Sequence, residues 1–126
     1  MASSGITQSV GGLNTALACL AGAGTPTVAS NPTVVMTAGV NVIPTVASSG
    51  DGVLLPAGIP QFGVITLFNT AAANTCDVFP NLGGTINGGT ASTGQVGVAV
   101  KTGCRFVQVG TDGLTWVSDN AVTAIS

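Results

Sequence analysis

From Thr33 onward the chain repeats one pattern: four to eight residues rich in Val, Ile, Thr and Phe, then a break at Gly, Pro, Asn or Asp. Short β-prone runs separated by turn signals, with no helix-length apolar periodicity between them, predict an all-β domain of sandwich, jelly-roll-like or barrel type. Eight strands are expected: Thr33 to Met36, Asn41 to Ser48, Gly52 to Leu55, Val64 to Asn69, Thr75 to Pro80, Gln95 to Lys101, Arg105 to Val109 and Thr115 to Ser118. Val96, Val98 and Val100 alternate with Gly97, Ala99 and Lys101, the period-two signature of a strand with one buried face. Val64 to Asn69 reads VITLFN, apolar on both faces, which suits a central strand covered on both sides or a strand at a subunit interface.

The breaks have their own chemistry. Tight hairpins need residues that tolerate positive φ, and Asp-Gly or Asn-Gly meets that need at low steric cost. Asp51-Gly52, Asn87-Gly88 and Asp112-Gly113 are such pairs, and the last is expected to join Arg105 to Val109 with Thr115 to Ser118 as a hairpin. Gly83 to Thr90 has the glycines of a phosphate loop without its lysine or its following helix, so it reads as two successive turns around Thr85 and Ile86.

Before residue 32 the pattern changes to Ala, Gly, Ser and Thr. Residues 1–31 are therefore expected to form an extended N-terminal arm and residues 32–126 the β-domain. Leu13, Leu17 and Leu20 share one face of a short helix expected over 11–20, which the neighbouring glycines limit to two or three turns. An isolated helix of that length is marginal in water, so the arm is expected to gain order from a partner or a neighbouring subunit.

Charge changes this picture most. The 126 residues include four aspartates, one lysine and one arginine, with no glutamate, histidine or tyrosine, so 5% of the chain is charged. Ordinary soluble domains carry charge on about 25% of their residues. Apolar residues make up 45% and the net charge is −2, which favours a folded chain over a disordered one. Two cations cannot neutralise a run of phosphates, so neither nucleic acid nor an anionic membrane is an expected partner. The run from Leu13 to Ala23 is short, is interrupted by Asn14 and Thr15 and follows no basic segment, so neither a secretion signal nor a membrane span is expected and synthesis in the cytoplasm is the default.

The same scarcity bears on catalysis. With no histidine, the usual general base is missing. Asp51 and Asp112 open turn pairs and should cap turn backbone, Asp119 stands in a polar tail, and Asp77 should sit on a solvated strand face or pair with Arg105 or Lys101. Cys19, Cys76 and Cys104 match neither a zinc-site nor a disulfide-framework spacing and read as apolar core residues; a Cys76–Cys104 pairing would need their strands to be neighbours. No catalytic, cofactor or metal residue is assigned, and no enzymatic activity is expected. Contact residues are the candidate site instead: Ile6, Leu13, Leu17 and Leu20 in the arm, with Phe68, Arg105 and Trp116 in the domain. A lone tryptophan in a small β-domain is more often core, so core is the leading reading of Trp116 and contact the second.

Asp51-Gly52-Val53-Leu54-Leu55-Pro56, Val64 to Asn69, Cys76-Asp77-Val78-Phe79-Pro80, Thr85-Ile86-Asn87-Gly88, Arg105-Phe106-Val107 and Thr115-Trp116 together resemble a pattern of small virion proteins of tailed bacteriophages. The resemblance spans roughly residues 45 to 118. It implies a β-sandwich or barrel that trimerises on a capsid or fibre. The expectation that follows is a capsid decoration, or cement, protein: a homotrimer bound to the major capsid protein on the surface of the virion. The alternative is a tail-fibre or adhesin-type module that binds a receptor, a role in which Trp116 would meet the ligand.

Overall fold

The computed structural model describes residues 17–19, 34–119 and 122–124 of the chain. Among the described residues ten strands form and no helix does. They are β1 (Leu17–Cys19), β2 (Gly39–Ile43), β3 (Gly52–Leu54), β4 (Val64–Asn69), β5 (Cys76–Phe79), β6 (Thr85–Ile86), β7 (Gln95–Val98), β8 (Thr102–Gln108), β9 (Thr115–Ser118) and β10 (Val122–Ala124). Two sheets result, a six-stranded one in the order β1-β2-β4-β8-β9-β6 and a four-stranded one in the order β10-β7-β5-β3. The all-β class expected from the apolar pattern is the observed one.

The chain changes sheet at every step from β2 to β8. This alternation brings next-but-one strands together in parallel, β2 with β4 and β3 with β5, while β4–β8, β5–β7 and β8–β9 pair antiparallel. Among the described strands two consecutive pairs are also neighbours in a sheet, β1–β2 in parallel and β8–β9 antiparallel, and the second is the expected Asp112-Gly113 hairpin. Asp112 Oδ1 accepts the Leu114 N–H at 2.9 Å there, and Gly113 takes φ 75°. At Asn87-Gly88 both residues take positive φ, 52° and 74°, and the Gly89 N–H donates to the Ile86 carbonyl, but this turn ends β6 and joins no hairpin. At Asp51-Gly52 the positive φ falls instead on Gly50, and Gly52 already belongs to β3. Asp51 still closes its turn, accepting the Ser48 N–H on Oδ2 at 3.2 Å.

Sheet-changing explains where the strands stop. β7 ends at Val98, short of the expected Lys101, because Ala99 to Thr102 turn the chain from one sheet to the other, with Lys101 at φ 59° and the Thr102 hydroxyl donating to the Ala99 carbonyl at 2.7 Å. β8 consequently starts at Thr102, three residues before the expected Arg105. The strand expected at Thr33 to Met36 is reduced, within the described residues, to a single parallel bridge between Val35 and Leu54, with Met36 N–H donating to the Leu54 carbonyl and Leu54 N–H to that of Val34. In the arm, Leu17–Cys19 pair in parallel with β2, so this part of the helix expected over 11–20 is a strand. The rest of that helix lies outside the described residues.

One apolar core is shared by the two sheets. The six-stranded sheet contributes Ile43, Ile65, Leu67, Ile86, Cys104, Phe106 and Trp116, and the four-stranded sheet Val53, Cys76, Val78, Val96 and Val98. Met36, Val46, Leu55 and Ala71 complete it. The buried polar residues, Asn41, Asn69, Asn81 and Gln108, are all amides. Uncharged amides satisfy buried backbone without the desolvation penalty of a charge. Asn69 holds the sheets together, its Nδ2 donating to the Val98 carbonyl at 2.9 Å from the end of β4 to the end of β7.

Candidate interaction face

Strand alternation sorts the six-stranded sheet into two faces. On β4, Ile65, Leu67 and Asn69 point into the core, while Val64, Thr66 and Phe68 point away from it. On β2 the inward residues are Asn41 and Ile43, leaving Val40 and Val42 outside, and on β8 they are Cys104, Phe106 and Gln108, leaving Gly103, Arg105 and Val107. Strand pairing aligns these outward residues in rows: Val42, Phe68 and Gly103; Val40, Thr66 and Arg105; Val64, Val107 and Val117. VITLFN is thus central in its sheet, as expected, but only one of its faces is covered by the core.

The outer face is apolar where it would ordinarily be polar. Phe68, Val64 and Val117 remain 44%, 46% and 41% exposed. Covering each of these half-exposed side chains would stabilise by about 1 kcal/mol. The charges on or beside this face are Lys101, next to Phe68, and Arg105 and Asp119, which are joined by a hydrogen-bonded ion pair from Nε to Oδ2 at 3.0 Å. That bond holds the guanidinium above its ordinary pKa, and the exposure of both partners keeps its contribution to stability small.

Phe68 and Gly103 form the centre of the face. They are directly opposed in the β4–β8 ladder, and a Cβ added to Gly103 would lie 2.5 Å from Phe68 Cδ1. The ring therefore lies across the glycine, and only a residue without a side chain permits it. On either side of the ring the surface dips, once among Val42, Thr70, Lys101 and Thr102 and once among Val40, Thr66 and Arg105. The central feature is a low aromatic ridge between two shallow grooves.

The structure separates the contact residues expected from sequence. Phe68 and Arg105 share the open face. Trp116 does not: it is 1% exposed, packed in the core, with its Nε1 donating to Asn81 Oδ1 at 3.1 Å. A contact role for Trp116 is corrected to a core role, because the inward register of β9 and the buried Asn81 acceptor hold the indole inside. Ile6, Leu13 and Leu20 lie outside the described residues, and Leu17 is described only as part of β1. Val40, Val42, Val64, Val107 and Val117 were not singled out from sequence, although the all-apolar reading of Val64 to Asn69 carried the signal.

The titratable groups elsewhere have structural surroundings. Asp77 accepts the Gln95 amide at 3.0 Å instead of pairing with Arg105 or Lys101, and burial raises its carboxyl pKa against the lowering effect of that bond. Burial, assisted by the negative charges of Asp77 and Asp51, pushes the Cys76 thiol up to about 12. Cys76 and Cys104 are both buried and neither forms a disulfide, since they lie on strands of different sheets. Among the described residues no three His, Cys, Asp or Glu side chains cluster to hold a metal ion, and no helix is long and apolar enough to cross a membrane. Comparison with protein families, with curated proteins and with solved structures finds no match to the chain.

Proposed function

We propose that this chain is a structural subunit of a tailed-phage virion, a capsid decoration or cement protein that acts by covering and being covered. The observation that carries the reading is the open face of the six-stranded sheet, largely apolar across β2, β4, β8 and β9, with Arg105 and Asp119 paired to each other. A chain with 5% charged residues and such a face is suited to an assembled state more than to free solution. The resemblance of residues 45 to 118 to small virion proteins points to the same setting. The mechanism is burial: a subunit adds apolar contact and backbone pairing across neighbouring capsid subunits, and so resists outward pressure on the shell.

The test is sedimentation with heads assembled from the cognate major capsid protein but lacking this chain. Saturable binding in a fixed ratio to capsid subunits, with increased resistance of the heads to heating, is the expected result. Removal of residues 1–20 should weaken that binding. Heads that sediment without the full-length protein at saturating concentration would overturn the reading.

A further inference from the structure

We propose that the open face of the six-stranded sheet is covered by a second copy of the chain, packed face to face about a two-fold axis. This rests on the reading of that face as a contact surface and names its occupant.

Charge narrows the choice of occupant. Arg105 and Asp119 satisfy each other at 3.0 Å, and Lys101 beside one groove is the single further charge, too little to hold a phosphate backbone, an anionic membrane or a charged protein patch. A fitting partner is apolar and itself nearly uncharged. This chain meets that description, with six charged residues in 126 and a face of its own built from Val40, Val42, Val64, Phe68, Val107 and Val117. Turned about a two-fold axis, Arg105 of one copy can meet Asp119 of the other.

Shape points the same way. The Phe68 ring, seated on Gly103, is a ridge with a groove on each side. A ridge beside a groove is complementary to its own copy after a half-turn, each ring entering the other's groove, and this is the condition for an isologous contact. Such a contact closes at two copies. The pair, in place of the trimer that the family resemblance implies, is then the unit of self-association.

The experiment measures the mass of the full-length protein by light scattering across a concentration series, with no capsid present. Wild type should approach twice 12.1 kDa. Arg105→Asp and Asp119→Arg place like charges on both faces, so each alone should stay near 12.1 kDa at concentrations where wild type pairs. Both positions are exposed, with side chains 67% and 50% accessible, so the fold tolerates the changes. An equimolar mixture of the two variants should regain the doubled mass, because two carboxylates at positions 105 and 119 then meet two guanidiniums. Single-chain mass for wild type throughout, a three-chain mass, or variants that pair alone as wild type does would each overturn the proposal. A paired protein that fails to bind heads would refute the cement reading alone, and a single-chain protein that binds them would refute this inference alone.

Discussion

At the scale of single residues, the chain manages with few charges by assigning interior polar work to amides. Asn41 Nδ2 donates to the carbonyls of Thr37 and Thr66, and Gln108 Oε1 accepts the N–H groups of Gly110 and Thr115, so loop backbone is satisfied without a buried ion. Asn81 does the same for the indole of Trp116. Trp116→Phe keeps most of the buried ring but strands Asn81 Oδ1 in the core, so it should destabilise by about 1–3 kcal/mol, read as a lower urea midpoint. Asp77 is the exception, a carboxylate partly withdrawn from water. Its folded-state pKa is raised by burial, so the folded protein binds the proton more tightly than the unfolded one, and stability falls as pH rises through that raised value. Asp77→Asn should therefore stabilise the protein at about pH 7, and the gain should shrink toward about pH 3, below the ordinary carboxylate range. Urea midpoints at the two pH values check it; a gain of the same size at both would contradict the assignment. Composition and turn chemistry identified the capping roles of Asp51 and Asp112 in advance. They could not identify the amide partners, which come from residues as far apart as Asn81 and Trp116.

At the scale of strands, legibility followed length and neighbourhood. Val64–Asn69 and Thr115–Ser118 appear with the bounds expected, because a six-residue run dominated by Val, Ile, Leu and Phe, or a clear hairpin turn, defines a strand locally. Three short strands were not expected: β1 falls in the segment read as a helix, β6 at the Thr85 and Ile86 read as part of two turns, and β10 in the tail, each two or three residues long and thus too short to show alternation. The pairing partners were hidden for another reason: the chain changes sheet at each step from β2 to β8, and nothing local marks a strand whose neighbour is the next but one. β1 offers a direct test. Cys19 and Val42 are Cα partners in the β1–β2 ladder, and neighbouring strands lie about 4.8 Å apart, inside the rough 4.4–6.8 Å range for disulfides. Val42→Cys should thus form an internal disulfide with Cys19 on mild oxidation, seen as a loss of two hydrogens in the intact single-chain mass. Thiols that both stay reduced would contradict the in-chain pairing of β1, as would a covalent pair of chains.

At the scale of the whole molecule, the near absence of charge takes on a location. A sheet with Ile65, Leu67 and Phe106 on one face and Val64, Phe68 and Val107 on the other has two apolar sides, and the four-stranded sheet with its loops covers only the first. The sequence pattern anticipated that duality in VITLFN; of the expected contact residues Phe68 and Arg105 lie on the exposed side, while Trp116 was not separable from them because side-chain type alone does not reveal which way a strand residue points. The central claim is that this second side is covered when the protein works. Val117→Cys places a thiol on it, at a position 41% exposed, while the described native thiols Cys76 and Cys104 are buried. The most direct measurement is the rate of maleimide labelling at residue 117, in dilute solution and on decorated heads, with Cys19 replaced by alanine. Fast labelling when dilute and strong protection on the heads is the predicted result; equally fast labelling in both states would contradict the account.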